Sequence, residues 1–167
     1  MLVGVISDTH GWFHPGIPKA LGDCDVILHA GDVGDPDILE QLEALAPTRA
    51  VPGNVDGRYI RVRYPVHDRF MLDGAKFWMT HIAGHPDRWQ AGLGPMLKED
   101  PPDVFICGHS HILRIERVGS LGGMLYLNPG AAGRQGFHQV KSCVRLRLEQ
   151  GKAVEAQVVH LDEKGAI

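Results

Sequence analysis

The chain has 167 residues, 44% hydrophobic and 22% charged, with a net charge of -3. That length suits one domain with a real core, and the proportions are ordinary for a globular protein. The charge argues against a nucleic-acid-coating surface, which needs a basic stripe, and no apolar stretch is long enough to span a bilayer. Cys24, Cys107 and Cys143 are odd in number and far apart. They make neither a disulfide framework nor a CxxC zinc pattern. Cys107 lies in an apolar run and reads as a small core residue. The first residues run into a strand without a basic, apolar, small-residue signal, so a reducing cytoplasm is the expected location.

Leu2 to Ser7 is an apolar, β-prone run that opens on Asp8-Thr9-His10. It reads as a buried strand, and in an extended backbone Asp8 and His10 leave the same face. Residues 12–22 read as a loop leading to a short helix, and residues 25–30 as a second strand ending in Gly31-Asp32. Residues 36–46 read as a helix, with Pro36 at its first position and Ile38, Leu39, Leu42 and Leu45 on one apolar face. Ala50-Val51-Pro52 is a short strand entering Gly53-Asn54-Val55-Asp56-Gly57. Strand, helix and strand in this order predict a parallel βαβ sheet.

The middle changes character. Residues 66–72 and 76–80 flank Asp73-Gly74, a hairpin signal, and the second strand ends at His81. Residues 87–98 can form a helix, weakened by Gly92, Gly94 and Pro95. Residues 103–107 are another buried strand, ending in Gly108-His109-Ser110-His111. Beyond residue 112 the pattern is antiparallel. Strands over 113–118 and 124–127 surround a glycine-rich turn and are followed by Asn128-Pro129-Gly130. Strands over 142–148 and 153–160 flank Gln150-Gly151. Residues 1–161 are expected to form a single domain, and the polar 162–167 a loose tail. Exposed antiparallel edges could support a homodimer.

Five strand ends therefore carry the same kind of residue: Asp8/His10, Asp32, Asn54, His81 and His109/His111. Gly-Asp turns and strand-end histidines are common singly. Five at successive strand ends point to one shared site. Carboxylates, imidazoles and an amide without thiolate suit hard-to-borderline divalent ions, manganese first, with iron, zinc or nickel as alternatives. Seven candidates are too many for one tetrahedral zinc and suit two ions sharing a carboxylate. Such a pair can lower the pKa of a bridging water and hold both oxygens of an in-line displacement at phosphorus. The expectation is a hydrolase of phosphate esters.

At these residues the chain resembles the calcineurin-like metallophosphoesterases, whose ordered series is Asp-x-His, Gly-Asp, Gly-Asn-x-Asp/Glu, His and Gly-His-x-His. The resemblance covers residues 3 to about 133. The short length and Asn128-Pro129-Gly130 look like the small bacterial and archaeal phosphodiesterase branch, and the retromer scaffold subunit shares that compact fold. The resemblance implies an α/β fold, a two-sheet β-sandwich flanked by helices. It places Asp8, His10, Asp32 and His111 on one metal, and Asp32, Asn54, His81 and His109 on the other, with Asp32 bridging. Asn54 would also touch the phosphate. Many members carry a histidine after the Asn, beside the leaving group. Here that residue is Val55, so no general acid is assured. The implied activity is a phosphodiesterase working by in-line attack of a metal-bridging hydroxide. The alternatives are a phosphomonoesterase, or a non-catalytic protein-binding scaffold. A small phosphate ester, a nucleotide included, fits better than a nucleic-acid polymer. Asp56 loses the histidine it would orient, and Asn128 is expected to shape a turn beside the ligands. His85 and Arg134 are expected in surface or loop roles, and Trp12 and Trp89 as packing anchors.

Overall fold

The computed structural model describes residues 1–136 and 140–162. The elements run β1 (Leu2–Ile6), α1 (Ile17–Leu21), β2 (Val26–His29), α2 (Asp37–Glu43), β3 (Thr48–Ala50), α3 (Arg58–Arg63), β4 (His67–Leu72) and β5 (Ala75–Thr80). They continue with β6 (Gly84–His85), β7 (Arg88–Trp89), α4 (Leu93–Glu99), β8 (Val104–Ile106), β9 (Arg114–Val118), β10 (Met124–Asn128), β11 (Ser142–Glu149) and β12 (Lys152–His160). One five-stranded sheet has the order β12-β11-β1-β2-β3 and the other β4-β5-β8-β10-β9.

The apolar runs are continuous because the central strands are buried on both faces. Val3, Val5, Leu28, Val144 and Leu146 from the first sheet meet Phe77, Met79, Val104, Ile106 and Leu127 from the second in one core cluster. The alternate residues point outward. Ile27 and Cys143 pack with Ile17, Leu21, Ile38 and Leu42 of α1 and α2. Trp78, Phe105 and Tyr126 pack with Leu93 and Leu97 of α4. Period-two alternation thus builds a helix–sheet–sheet–helix sandwich, the expected α/β fold. Cys24, Cys107 and Cys143 are all buried and unpaired.

β1, β2 and β3 are parallel, as the βαβ reading requires. The Asp73-Gly74 hairpin also forms, with φ of 48° and 85° at its two turn residues. The other elements depart from expectation in five places. β3 lies at Thr48–Ala50, earlier than residues 50–52. Pro52 has no N–H to extend the ladder, although Val51 N–H still bonds His29 O at 3.1 Å. The sequence pattern does not predict α3, which buries only Ile60 and so carries little periodic signal. The helix expected over 87–98 is confined to Leu93–Glu99, because Gly92 stands in the left-handed region at φ 83°. Its first part instead holds β7, which pairs with the preceding β6 in a short hairpin, Gly84 opposite Trp89. β10 is antiparallel to β9 but parallel to β8, so the second half is not purely antiparallel. Asp162 is no loose residue, since Lys141 Nζ donates to it at 2.9 Å and His14 Nε2 lies 3.0 Å away. The rest of the expected tail, 163–167, lies outside the described residues.

β5, β8 and β10 are parallel, as are β1, β2 and β3. Their carboxyl ends therefore share one edge of each sheet. The loops leaving β1, β2, β3, β5 and β8 carry the residues singled out above.

Candidate metal centre

Asp8 and His10 do not converge through strand alternation. β1 ends at Ile6, and both residues follow it in the left-handed region, at φ 55° and 49°. Asp32, His109 and His111 are alike, at 52°, 68° and 59°. Among the described residues, the other non-glycine positions with positive φ are Asp73 and Gln150, both in hairpin turns. Left-handed backbone costs an L-residue of order 1 kcal/mol or more. Five such residues on three adjacent loops mark a place where side-chain direction is set against backbone preference. The loops are cross-tied by main-chain bonds: Asp8 N–H to Gly31 O at 2.9 Å, His10 N–H to Asp32 O at 3.0 Å and Gly108 N–H to His81 O at 3.0 Å. Gly53 and Gly108 permit the close approach. A Cβ at either would stand 2.0 Å from a side-chain atom, of Asp32 and Ser7 respectively.

The side chains form two adjoining groups. Asp8, His10 and His111 make one, and Asp32, His81 and His109 the other; within each, ligand-capable atoms lie within 4.8 Å of one another. His111 Nε2 is 3.1 Å from Asp8 Oδ1 and 3.3 Å from His10 Nε2. Asp32 Oδ2 joins the groups, at 3.3 Å from His81 Nε2 and 3.9 Å from His10 Nε2. Atoms about 2.0–2.2 Å from a common ion stand roughly 3 Å or more apart, which these separations match.

The orientation of each ligand fits a cation. His81 Nδ1–H donates to Ala30 O at 2.7 Å, which leaves the Nε2 lone pair facing Asp32. Asp8 Oδ2 accepts from His109 N–H at 3.1 Å, and Asp32 Oδ1 from Val55 N–H at 3.0 Å. The second oxygen of each carboxylate is thereby turned into the cluster. Asp8 Oδ1 and His81 Nε2 are buried without a well-aligned hydrogen bond, and each faces another ligand atom instead, His111 Nε2 at 3.1 Å and Asp32 Oδ2 at 3.3 Å. Buried polar atoms nearly always make aligned hydrogen bonds, so ligand atoms that crowd one another here without that alignment suit a shared ion. These groups can hold divalent cations.

Asn54 is exposed on the loop after β3 and lines a cavity together with His81. Asp56, whose task the sequence left open, is almost fully buried. It accepts from Gly34 N–H at 2.7 Å, Gly53 N–H at 2.7 Å and Val33 N–H at 3.2 Å, and so ties the Asp32 loop to the Asn54 loop. Arg61 braces the same loop from outside. Its guanidinium donates to Asp56 O at 2.7 Å, Gly53 O at 2.8 Å and Asn54 O at 2.9 Å. Asn128 Nδ2 donates to Gly108 O at 2.8 Å and its Oδ1 accepts from Gly130 N–H at 3.0 Å. It thus shapes its own turn and holds the His109 loop.

Sequence reasoning missed His29. Gly31 N–H donates to its Nδ1 at 3.2 Å, so Nε2–H donates to Thr9 Oγ1 at 2.9 Å, and Thr9 Oγ1–H donates to Val33 O at 3.0 Å. The chain of bonds links the Asp8 and Asp32 loops. Complete burial lowers the His29 pKa to about 4, so the ring stays neutral in this tautomer. A histidine three residues before Asp32, inside a buried strand, was the available signal.

His85 lies outside both groups, with Nδ1 3.1 Å from Asp87. Arg134 stacks over the Trp12 ring at 3.8 Å, and Trp89 packs on Phe105 and Tyr126. All four take the packing or surface roles expected of them.

Burial disfavours charge on Asp32, but the neighbouring His81 imidazole and the Val55 N–H outweigh it and hold the carboxyl at about 2. Burial likewise works against a proton on His81, and the Asp32 and Asp8 carboxylates overcome it, so its pKa is raised. Asp8 raises that of His111, while burial lowers that of His10. In the metal-free protein His81 and His111 therefore hold protons to higher pH than ordinary histidines, and a cation must displace them. Apparent Mn²⁺ affinity is expected to rise with pH by up to about tenfold per unit per proton, levelling off above the histidine range. Calorimetry at several pH values in two buffers counts the protons released. A pH-independent affinity would remove these nitrogens from the ligand set.

Residues 1–151 match the model of the calcineurin-like phosphoesterase superfamily domain. A probable metallophosphoesterase of Methanothermobacter thermautotrophicus is 37% identical over 136 residues, covering 78% of this chain and 77% of that protein. A second, of Methanocaldococcus jannaschii, is 34% identical over 171 residues, covering 98% of this chain and 83% of that one. Among solved structures, wild-type Vps29 complexed with Zn²⁺ from Entamoeba histolytica superposes with a TM-score of 0.73 at 21% identity, over 97% of this chain and 100% of that chain. At that identity the likeness speaks for the fold. The family model and the curated relatives carry the assignment: the chain belongs to the calcineurin-like metallophosphoesterases.

Proposed function

We propose that this protein is a dinuclear metal-dependent phosphodiesterase, one domain over residues 1–161, acting in a reducing cytoplasm on a phosphate-ester substrate. The observation that supports the reading is that two His/Asp groups adjoin, with Asp32 Oδ2 lying 3.3 Å from His81 Nε2 in one and 3.9 Å from His10 Nε2 in the other. Asp8, His10, Asp32 and His111 would hold one ion, and Asp32, Asn54, His81 and His109 the other, with Mn²⁺ first among the candidates. When bound, the ions supply Lewis acidity that makes water a nucleophile at neutral pH and offsets charge on phosphorus oxygens. The chain's part is to fix these ligands and to place the Asn54 carboxamide beside the phosphoryl group. The Asp56 and Arg61 bonds hold that loop in register.

The test is hydrolysis of bis-p-nitrophenyl phosphate and p-nitrophenyl phosphate by metal-stripped protein, after adding Mn²⁺, Ni²⁺, Zn²⁺ or Mg²⁺ separately. Metal-dependent turnover favouring the diester is expected. A preference for the monoester would correct the substrate class. No turnover with any metal, while two ions bind tightly, would leave a binding scaffold instead.

Val55 adds a second expectation. Its side chain is exposed at the position where the family resemblance puts a histidine. Nitrophenolate leaves without a proton, whereas an alkoxide needs one. Val55→His is expected to raise turnover of an alkyl diester by about 10²-fold, while bis-p-nitrophenyl phosphate changes little. An equal effect on both substrates would argue against a proton-donor role at this position.

A further inference from the structure

We propose that the cavity beside the metal centre is a subsite for an uncharged, planar arm of the substrate, so that the preferred substrates are phosphodiesters carrying one aromatic ester group. The inference rests on the phosphodiesterase reading and extends it by naming the second ester.

The cavity measures about 370 Å³, and Asn54 and His81 form the part it shares with the metal centre. It falls at the small end of ligand pockets, roughly 300–1,000 Å³, with room for a ring system and not for a polymer. Val66, Ile82, Leu93 and Met96 give it apolar walls. Leu93 is buried, but Val66 is 59% exposed and Met96 42%. Large apolar side chains left uncovered around a concave site mark a place where something apolar is received.

The charges narrow the ligand. Arg61 is the cationic side chain among the lining residues other than histidine. Its guanidinium is already engaged with the carbonyls of Gly53, Asn54 and Asp56. Among the described residues, no lysine or second arginine lines the cavity to receive another phosphate or a carboxylate. The polar side chains are neutral or internally bonded. Thr80 Oγ1 donates to Val66 O at 3.1 Å, and His67 Nδ1 accepts from Trp78 Nε1–H at 3.4 Å. Burial and the Arg69 charge lower the His67 pKa, which favours the neutral ring. The Gln90 carboxamide can meet a donor or acceptor on a ring edge. Apolar walls with a few neutral hydrogen-bonding groups suit a phenyl ring or a nucleobase, and do not suit a second charged group.

Two measurements test this. The first varies one ester while keeping the leaving group: methyl, phenyl and thymidine-5′ p-nitrophenyl phosphates, with Mn²⁺-loaded protein. Phenyl or thymidine esters are expected to exceed the methyl ester in kcat/KM by about tenfold or more. Phenyl above thymidine identifies a simple aryl site, and the reverse identifies a nucleobase site. Ala91→Trp places a large ring at an exposed position in the cavity lining and should bring the aryl-to-methyl ratio close to one. The second measurement needs no turnover. Diphenyl and dimethyl phosphate are titrated into metal-free and metal-loaded protein and followed by amide NMR shifts. Diphenyl phosphate is expected to bind about tenfold more tightly and to shift Ile82, Ala91 and Leu93. Met96→Gln should weaken that difference if Ala91→Trp does not fold.

Turnover of the methyl ester with no aryl preference, or shifts that avoid these amides, would overturn the subsite and leave the phosphodiesterase standing. Diphenyl phosphate binding at these amides without turnover of any diester would keep the subsite and overturn the phosphodiesterase. Neither binding nor turnover would overturn both.

Discussion

Asp32→Ala is expected to lower metal-dependent diester hydrolysis by about 10³-fold or more and to reduce bound Mn²⁺ from two ions per chain to one or none. Asp32 Oδ2 lies 3.3 Å from His81 Nε2 and 3.9 Å from His10 Nε2, and so faces both groups. Without it the first group keeps Asp8, His10 and His111, while the second is reduced to imidazoles and the Asn54 amide. Neutral ligands alone hold a hard divalent ion poorly. The substitution also removes the acceptor of Val55 N–H, a bond of 3.0 Å, so loss of activity could arise from a displaced loop. Asp32→Asn separates the two causes. It keeps the shape and can keep an oxygen for Val55 N–H, but it carries no charge. If charge between the ions is what matters, Asp32→Asn loses nearly as much activity as Asp32→Ala. If the loop tie matters, Asp32→Asn retains most of it. Activity within about tenfold of wild type for Asp32→Asn, with two ions still bound, would remove Asp32 as the shared ligand. Elemental analysis after gel filtration counts the ions, and circular dichroism confirms the fold.

The same residue shows why so much of this site could be read in advance. Asp8, Asp32, His81 and His109 each follow shortly on an apolar run, and each run became a strand or its immediate end. Parallel strands finish at the same edge, so residues far apart in sequence meet there. The order of motifs along the chain therefore carried the topology of the site. Backbone conformation did not show. The i, i+2 spacing of Asp8/His10 and of His109/His111 invites a strand-face explanation, yet all four residues lie beyond their strands at positive φ. Left-handed φ at aspartate or histidine leaves no trace in composition or periodicity. It is imposed by tertiary bonds such as His10 N–H to Asp32 O. The supporting residues were equally dark. His29 looks like one more strand residue, and its bond to Thr9 depends on how two loops meet. The helix expected over 87–98 failed for a local reason, since Gly92 at φ 83° starts a helix there instead of continuing one. What pattern can show is which residues lie at strand ends; which way their side chains turn depends on bonds between loops.

Asp56→Ala tests one such set of bonds and is expected to destabilise the metal-free protein by about 3–4 kcal/mol. The carboxylate is 4% exposed and accepts three main-chain N–H groups, those of Val33, Gly34 and Gly53. Removing it leaves three donors without their acceptor, those of Val33 and Gly53 buried and that of Gly34 nearer solvent, and leaves the Asp32–Val55 N–H bond as the remaining side-chain tie named between the two loops. Each unsatisfied buried donor costs about 1–3 kcal/mol, and relief from burying a charge offsets part of the sum. Against a total stability of roughly 5–15 kcal/mol, the loss is large enough to shift a urea midpoint plainly. Asp56→Asn should fall about halfway. Its single oxygen can replace Oδ2, which serves Val33 and Gly53, but its amide then faces Gly34 N–H donor to donor. The functional effect should be directional. Asn54 and Asp32 sit on the two loops that Asp56 joins, whereas Asp8, His10 and His111 sit on others. Binding of one ion should weaken more than binding of the other, giving two separated calorimetric phases where wild type shows closer ones. A loss below about 1 kcal/mol for Asp56→Ala would mean that Arg61, bonded to the same loop from outside, is brace enough without the carboxylate. Arg61→Ala alone and combined with Asp56→Ala would then measure how far the two braces depend on each other.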